Sequence, residues 1–395
     1  MSERNLDFDA LIDRRGTDSI KFDAAAQRGM PDDLLSYWVA DMDFRVSSYV
    51  QDALAEVVAH GIFGYSEPDE RYFHAVQKWM RERHDFEVTE DRLVKTPGIV
   101  YALAQAVRAF TREGDAVLIQ QPVYYPFSEV TKSNNRRLVS SDLVIDASGS
   151  YHIDFDDFER KILENEGKLF ILCSPHNPVA RVWRREELEK IAEICLRRGV
   201  LVISDEIHND FDFEGRHTVF ETLGSEVADI TITCTAPSKT FNLAGLQCSN
   251  LFITNPRLRA QFCAALRASG YCELNPMGLA ATRAAYEHGG EWRDAMMKYV
   301  EANIDFAVDF INDEIPGVST VKNEGTYLMW LDCRELCLSV DALDELIVHK
   351  AKLWLDSGRI FGAPGNGFQR VNVACPRSYL ALGLRQLRDA VLARR

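Results

Sequence analysis

Lys239 stands just beyond an apolar run, Ile230–Ala236, after a Pro-Ser pair, and is followed by Thr240, Phe241, Asn242 and the small residues Ala244 and Gly245. An apolar run of that length, bounded by Pro and Ser, predicts a buried strand that stops just before the lysine. An amine held at a strand end beside a tight loop is partly stripped of water. Its pKa falls, and it can condense with an aldehyde to a Schiff base. A single lysine in a turn is otherwise an ordinary surface charge, so the weight of this one comes from the residues at the other strand ends.

Four further stretches carry such residues. Q-P-V-Y-Y-P-F (Gln121–Phe127) follows the run Ala116–Gln120 and sets Tyr124 and Tyr125 where an aromatic ring stacks on a flat ligand. C-S-P-H-N-P (Cys173–Pro178) follows Leu169–Cys173, and its two prolines stiffen a loop that presents Asn177. S-D-E-I-H-N-D (Ser204–Asp210) closes the run Val200–Ile203 with Asp205, a carboxylate that needs a cationic or N–H partner there. T-P-G-I-V (Thr96–Val100) opens an Ala-rich helix running to Phe110, and the backbone N–H groups of Gly98, Ile99 and Val100 at its positive end suit a phosphate.

Each stretch has a plainer reading: a turn, a packed tyrosine, an Asx-turn. Glu206, His208 and Asp210 also alternate as metal ligands on one strand face would, but no second cluster completes such a site, and no metal is expected. In R-I-F-G-A-P-G-N-G-F-Q-R (Arg359–Arg370) the glycines Gly362, Gly365 and Gly367 are out of order for a dinucleotide loop. Arg370 instead suits bidentate capture of a carboxylate. Taken together, these residues describe a pocket for one flat, phosphorylated, aldehyde-bearing heterocycle and an amino acid. That heterocycle is pyridoxal 5′-phosphate (PLP), whose sites use a lysine Schiff base and an acid facing the pyridine nitrogen.

The elements that position these residues alternate along the chain. Helices are predicted over Gln51–Ala59, over Glu70–His84 with Phe73, Val76, Gln77 and Met80 on one face, and over Arg185–Arg198 with Leu188, Ile191, Ala192 and Cys195 on one stripe. Strands are predicted at Ala116–Gln120, Leu169–Cys173, Val200–Ser204, Ile230–Ala236 and Asn250–Thr254. This alternation predicts an α/β fold with a mostly parallel central sheet covered by helices on both faces, with ligands outside the carboxyl ends of the strands. Helices over Glu291–Glu314 and Asp341–Ser357 and strands at Thr326–Leu331 and Gln369–Val373 predict a smaller α/β lobe. The expected division is an N-terminal arm (1–48) belonging with the small lobe, a large cofactor-binding domain (49–290) and a small C-terminal domain (291–395).

The chain has 395 residues, 46% of them hydrophobic and 27% charged, which is the composition of a globular protein. A formal net charge of −15 disfavours nucleic acid and anionic membrane as partners. The N-terminus, M-S-E-R-N-L-D-F-D, has no apolar leader core, and no stretch approaches membrane-spanning length, so a soluble, cytoplasmic protein is expected. The nine cysteines, Cys272 among them, are odd in number and contain no C-x-x-C pair. Reduced thiols are therefore expected rather than a disulfide framework or a zinc site; Cys333 and Cys337, four apart, supply too few ligands for zinc.

The motifs W-V-A-D-M-D-F, G-I-F-G-Y-S, S-P-H-N-P, S-D-E-I-H, A-P-S-K-T-F-N-L-A-G-L-Q, E-G-T-Y-L-M-W and G-F-Q-R-V-N-V-A-C-P-R run in this order from Trp38 to Arg377. In them the chain resembles fold-type I PLP-dependent enzymes of the aminotransferase superfamily, and specifically the C–S β-lyase branch of MalY/PatB-type cystathionine β-lyases. The resemblance implies that Lys239 binds the coenzyme and then acts as base at the substrate Cα, and that Asp205 keeps the ring nitrogen protonated. It implies that Asn177 bonds the ring hydroxyl, that Tyr124 stacks on the ring and is a candidate proton donor, and that Gly98, Ile99, Val100 and Ser238 hold the phosphate. Arg370, with Asn177, would bind the substrate carboxylate. Tyr65 would reach the phosphate from the neighbouring subunit of a homodimer with a shared active site. His208 stands where many aminotransferases have a tyrosine near the ring hydroxyl. Two departures are visible: Gln247 occupies the place of a phosphate-binding arginine, which favours the lyase branch, and Ala180 replaces a glycine. The implied reaction is α,β-elimination from a cystathionine- or cysteine-type amino acid to pyruvate, ammonia and a thiol. An aminotransferase on the same cofactor is the nearest alternative, and a regulatory binding protein with weak lyase activity is another.

Overall fold

The computed structural model describes residues 3–271 and 273–394; Cys272, counted above among the reduced thiols, lies outside the described residues. Runs of β-branched and apolar residues become a seven-stranded sheet. In chain order its strands are β1 (Leu93–Thr96), β2 (Ala116–Ile119), β3 (Arg137–Ser140), β4 (Leu169–Cys173), β5 (Leu201–Asp205), β6 (Thr231–Thr235) and β7 (Ser249–Phe252). In space they lie in the order β1-β7-β6-β5-β4-β2-β3. Strands β3, β2, β4, β5 and β6 are mutually parallel, while β7 runs antiparallel to both β6 and β1. The inner strands β2 (A-V-L-I) and β4 (L-F-I-L-C) read as continuous apolar runs because both faces are covered; they and β6 are buried at every position.

One face packs on helices Ile99–Phe110 and Pro256–Ala268, and its cluster includes Leu103, Val107, Ile119, Ile203 and Phe262. The other packs on Phe155–Asn165 and Arg185–Arg198, through Phe158, Phe170, Leu188 and Ile191. Helix Arg185–Arg198 buries the predicted stripe and ends at Gly199 in the left-handed conformation (φ 66°). Helix Glu70–His84 starts at an Asp69 cap that accepts from the backbone N–H groups of Arg71 and Tyr72. Its buried face is Tyr72, Phe73, Val76, Trp79 and Met80; Gln77, expected on that face, instead donates to the Val88 carbonyl at 2.8 Å.

The chain leaves β2 for β3 at one edge and returns to β4 on the other side of β2. Loops after β2 and β4 therefore diverge and open a crevice at the carboxyl end of the sheet. Beyond the sheet, helices Pro276–His288, Gly290–Glu314 and Arg377–Leu392 pack around a second core that includes Trp292, Met296, Ile304, Leu328 and Leu384. This part carries its own three-stranded antiparallel sheet, in the order Leu328–Asp332, Phe368–Asn372, Asp356–Ser357. The N-terminal segment joins it through Leu35–Ser36, which pairs parallel with Leu353–Trp354.

The predicted helix Asp341–Ser357 is corrected by the structure. The helix is Val340–Glu345, it widens into a π-turn over Leu346–Lys350, and the chain then extends into two short strands. Lys352, at φ 57°, turns the chain out of the helix, and Leu353–Trp354 find strand partners that local helical periodicity could not reveal. Among the described residues no helix is long and apolar enough to cross a membrane, no group of three or more His, Cys, Asp or Glu is placed to hold a metal, and eight cysteines are free.

Ala180, at the position where the resemblance has glycine, is held in the left-handed conformation (φ 58°) and is buried. Its N–H donates to the His176 carbonyl at 2.8 Å, and its carbonyl accepts from Glu324 and Gly325. Hydrogen bonds on both sides hold a conformation that costs a residue with a Cβ roughly 1–2 kcal/mol, partly offset by the entropy glycine loses on folding. Ala180→Gly is accordingly expected to raise unfolding stability by about 0.5–1 kcal/mol in urea titration.

Candidate active site

A cavity of about 330 Å³ opens at the carboxyl end of the sheet. Nearly every cofactor residue read from the sequence lines it: Gly98, Ile99, Val100, Tyr124, Asn177, Asp205, His208, Ser238 and Lys239. Arg370 reaches it through Asn177, and Tyr65 does not reach it within this chain.

Each side chain arrives on its own element. Asp205 is the last residue of β5 and Lys239 sits on a one-turn helix, Pro237–Thr240, two residues past β6. Pro237 fixes the first position of that turn, which anchors the lysine. Thr240 ties the turn down by donating to Asp210 Oδ2 at 2.6 Å. Tyr124 follows β2, and its N–H donates to the Asn177 carbonyl after β4 at 3.0 Å, locking the two crevice loops together. Gly98 is the cap of helix Ile99–Phe110, whose free N–H groups face the cavity.

The electrostatics of the cavity are unbalanced. Burial pushes the Asp205 carboxyl up to about 7; the Ile207 N–H and Lys239 pull it down, and Glu206 adds to the rise. Its one hydrogen bond is from Ile207 N–H, at 3.2 Å. Burial lowers the Lys239 amine to about 8, with Asp41 and Asp205 opposing that shift and Arg370 adding to it. Burial, then Lys239 and Arg370, keep the His208 imidazole neutral, and its Nδ1 has no hydrogen-bond partner. Burial also pushes the Tyr124 phenol upward, so it holds its proton.

Arg370 is buried. Its Nη1 donates to Asn177 Oδ1 at 3.0 Å, its Nη2 to the Trp38 carbonyl at 2.8 Å and to Asp356, and its Nε has no partner. The arginine thus keeps two of its five N–H groups free, the Nε–H and the second proton of Nη1, which can donate to an incoming carboxylate. Tyr65 is 98% exposed, in a loop where Ile62 and Phe63 are also exposed.

Three alternating residues considered above as metal ligands point apart. Glu206 holds Ser204, the Phe220 N–H and His217; His208 faces the cavity; Asp210 accepts from Trp79 and Thr240 and contacts His84. Sequence reasoning missed two contributors. The Ala40 carbonyl accepts from Lys239 Nζ at 2.6 Å, and a backbone oxygen leaves no side-chain signal. Asp356, the partner of Arg370, fell inside the stretch expected to be helical.

The residues present fit PLP. A buried carboxyl short of a cation matches a pyridine N–H, an unpaired imidazole nitrogen and an amide face the ring, and a helix N-terminus with Ser238 matches the phosphate.

Comparisons with known proteins agree with this geometry. The family model described as aminotransferase class I and II matches residues 41–387. The chain is 43% identical to cystathionine beta-lyase PatB of Bacillus subtilis (strain 168) over 387 residues, covering 98% of this chain and 100% of that protein. It superposes on cystalysin of Treponema denticola, whose structure contains a pyridoxal 5′-phosphate cofactor, with TM-score 0.95 and 37% identity, over 98% of this chain and 99% of that one. The PLP-bound C–S lyase of Staphylococcus hominis gives TM-score 0.89 and 32% identity, over 98% and 99% of the two chains.

The unpaired carboxyl has a measurable consequence in the coenzyme-free chain. A carboxyl whose folded pKa is raised favours folding at pH values below its unfolded pKa and loses that contribution as pH rises through the folded value. For Asp205 the window runs from about 4 to about 7. The stability of wild type minus that of Asp205→Asn should therefore fall by roughly 1 kcal/mol per pH unit across this window, by chemical denaturation. Taking the difference cancels the buried groups on which Asp205 does not act, His208 among them.

Proposed function

The chain belongs to the aminotransferase class I and II family, and from that premise we propose that it is a PLP-dependent C–S β-lyase. It cleaves the Cβ–S bond of cystathionine- and cysteine-type amino acids, giving pyruvate, ammonia and a thiol. The observation that carries this reading is that one cavity is lined by both a lysine amine lowered to about 8 and a buried carboxyl whose one hydrogen bond is from a backbone N–H. Full-length similarity to a cystathionine beta-lyase and to a PLP-bound C–S lyase supports it over aminotransfer.

Bound PLP supplies the carbonyl that takes the substrate amine and a cationic ring that accepts the electron pair left at Cα. Asp205 binds the ring nitrogen and, as an anion beside that cation, keeps it protonated. Asn177 lends its amide to the ring hydroxyl while its carbonyl oxygen anchors Arg370. The free N–H groups of Arg370 would bind the substrate carboxylate and so orient the substrate in the cavity. Lys239 Nζ would take the Cα proton, a role for which burial, by lowering its pKa to about 8, suits it. The Cβ–S bond then breaks with its electron pair on sulfur, and the thiolate takes a proton from Lys239 or from the Tyr124 phenol. Water hydrolyses the released enamine to pyruvate and ammonia.

The protein acts as a homodimer in which Tyr65 of each chain completes the other's phosphate site. An exposed Ile62–Phe63–Tyr65 loop supports this, as a surface awaiting a cover. The cytoplasm fits a chain with eight described free cysteines. The division proposed is 49–290 for the cofactor domain and 291–395 for the small domain, with the arm 1–48 attached to the latter.

Lys239→Ala should lower keto-acid-independent pyruvate release from cystathionine by about a thousandfold or more, and no borohydride-reducible coenzyme adduct should form on that peptide. Pyruvate release that instead requires an added keto acid would mark an aminotransferase. Mixing Lys239→Ala with Tyr65→Ala chains should restore about a quarter of wild-type activity if sites are shared, since half the dimers then carry one intact site. Mixtures no more active than their components would rule sharing out.

A further inference from the structure

The Lys239 amine is gripped from outside its own loop. Nζ donates to the Ala40 carbonyl at 2.6 Å, and the same oxygen accepts the Tyr327 hydroxyl at 2.9 Å. Ala40 lies in a strap, residues 38–44, whose other carbonyls are also held. Arg370 takes the Trp38 carbonyl, and Asn372 Nδ2 spans those of Val39 and Asp41 at 2.7 and 2.6 Å. Asn242 grips Met42 at both its N–H and its carbonyl. A peptide fixed on either side cannot swing the Ala40 oxygen away, so that oxygen is a fixed point against which the lysine is positioned.

Tyr327 is placed for this contact with some force. It is fully buried, and the residue before it, Thr326, is β-branched yet sits at φ 61°. That conformation persists only where its surroundings impose it. Here Thr326 N–H donates to the Phe211 carbonyl, and its hydroxyl accepts from the Leu328 N–H. The tyrosine ring packs edge-on against His208 and Phe211. Burial keeps the phenol protonated, so it is a donor at every working pH.

We propose that the Ala40 carbonyl, oriented by the Tyr327 hydroxyl, is the station that holds the Lys239 amine whenever that amine is not bonded to the coenzyme, with Tyr327 as its positioning residue. This rests on Lys239 being the coenzyme lysine. An amine tethered there keeps its lone pair aimed at one place in the cavity instead of sampling the rotamers of a four-carbon chain. A carbonyl already engaged by a phenol is also a weaker acceptor for an ammonium, so the same contact favours the neutral amine. The charged groups acting on that amine are Asp41 and Asp205, which favour the ammonium, and Arg370, which opposes it.

The test is competitive acetylation of the full-length coenzyme-free chain with acetic anhydride over a pH series, reading the Lys239 peptide by mass spectrometry. In wild type the labelling midpoint should lie near 8. In Tyr327→Phe, which fills the same space without the hydroxyl, it should move up by about half a pH unit, so that Lys239 labels about threefold more slowly at pH 7.5. In the loaded enzyme the same change should lower kcat about tenfold and leave KM within about twofold. Circular dichroism establishes that the variant is folded. An unchanged labelling midpoint in a folded Tyr327→Phe chain, or a loss carried by KM alone, overturns the proposal. Absence of a reducible adduct on Lys239 in the wild type would instead sink the coenzyme assignment beneath it, so the two failures are read separately.

Discussion

One buried guanidinium holds the working parts of this chain in register. Arg370 sits on a strand of the C-terminal sheet, yet it reaches Asn177 in the loop after β4, the Trp38 carbonyl in the N-terminal strap and Asp356 on the neighbouring short strand. A cation taken out of water costs several kcal/mol unless its hydrogen bonds are remade. Here three of the five N–H directions of the fork are filled from three separate segments. The ordering of the crevice loop, the arm and the small sheet is thereby coupled to a single side chain. The remaining N–H groups are the directions left for a ligand.

The same logic runs through the cavity. Asp205 has one backbone donor, His208 has an idle nitrogen and Arg370 has an idle N–H. Buried polar groups are normally paired, and each of these deficits sits in or beside one cavity. Two neighbouring acids that do not line it are fully engaged: Asp210 is held by Trp79, Thr240 and His84, and Glu206 by Ser204, Phe220 and His217. The contrast separates two acids of a single motif into structural supports and leaves Asp205, one residue from Glu206, as the one aimed at a ligand.

How much of this was legible in the sequence depended on how local its cause was. Helix Arg185–Arg198 announced itself because its buried stripe and terminal glycine are set within fourteen residues. The strand-end residues Asp205, Asn177 and Lys239 could be read because apolar runs mark where buried strands stop. Helix Pro256–Ala268 went unread, although Leu258, Phe262, Cys263 and Leu266 recur at helical spacing and pack on the sheet. Asp356 was hidden by a helical pattern that ends early, since the strand around it exists only through pairing with residues near Arg370. The Ala40 carbonyl left no trace, because a backbone oxygen has no sequence identity. What the sequence could not convey were contacts made between distant segments.

Gln247 shows how a departure from a family pattern redistributes work. It lines the cavity in a left-handed turn (φ 51°), at the place where aminotransferases usually have a phosphate-binding arginine. Among the described residues that line the cavity, Lys239 is then the only cation. A phosphate at the head of helix Ile99–Phe110 would be met within this chain by N–H groups, the Ser238 hydroxyl and a neutral amide, with no formal positive charge beside it. Helix-end N–H groups bind anions well when water is kept out, and an open mouth does not keep it out. A hydroxyl delivered by a second chain would both add a donor and close that mouth, which is the use the exposed Tyr65 loop would have.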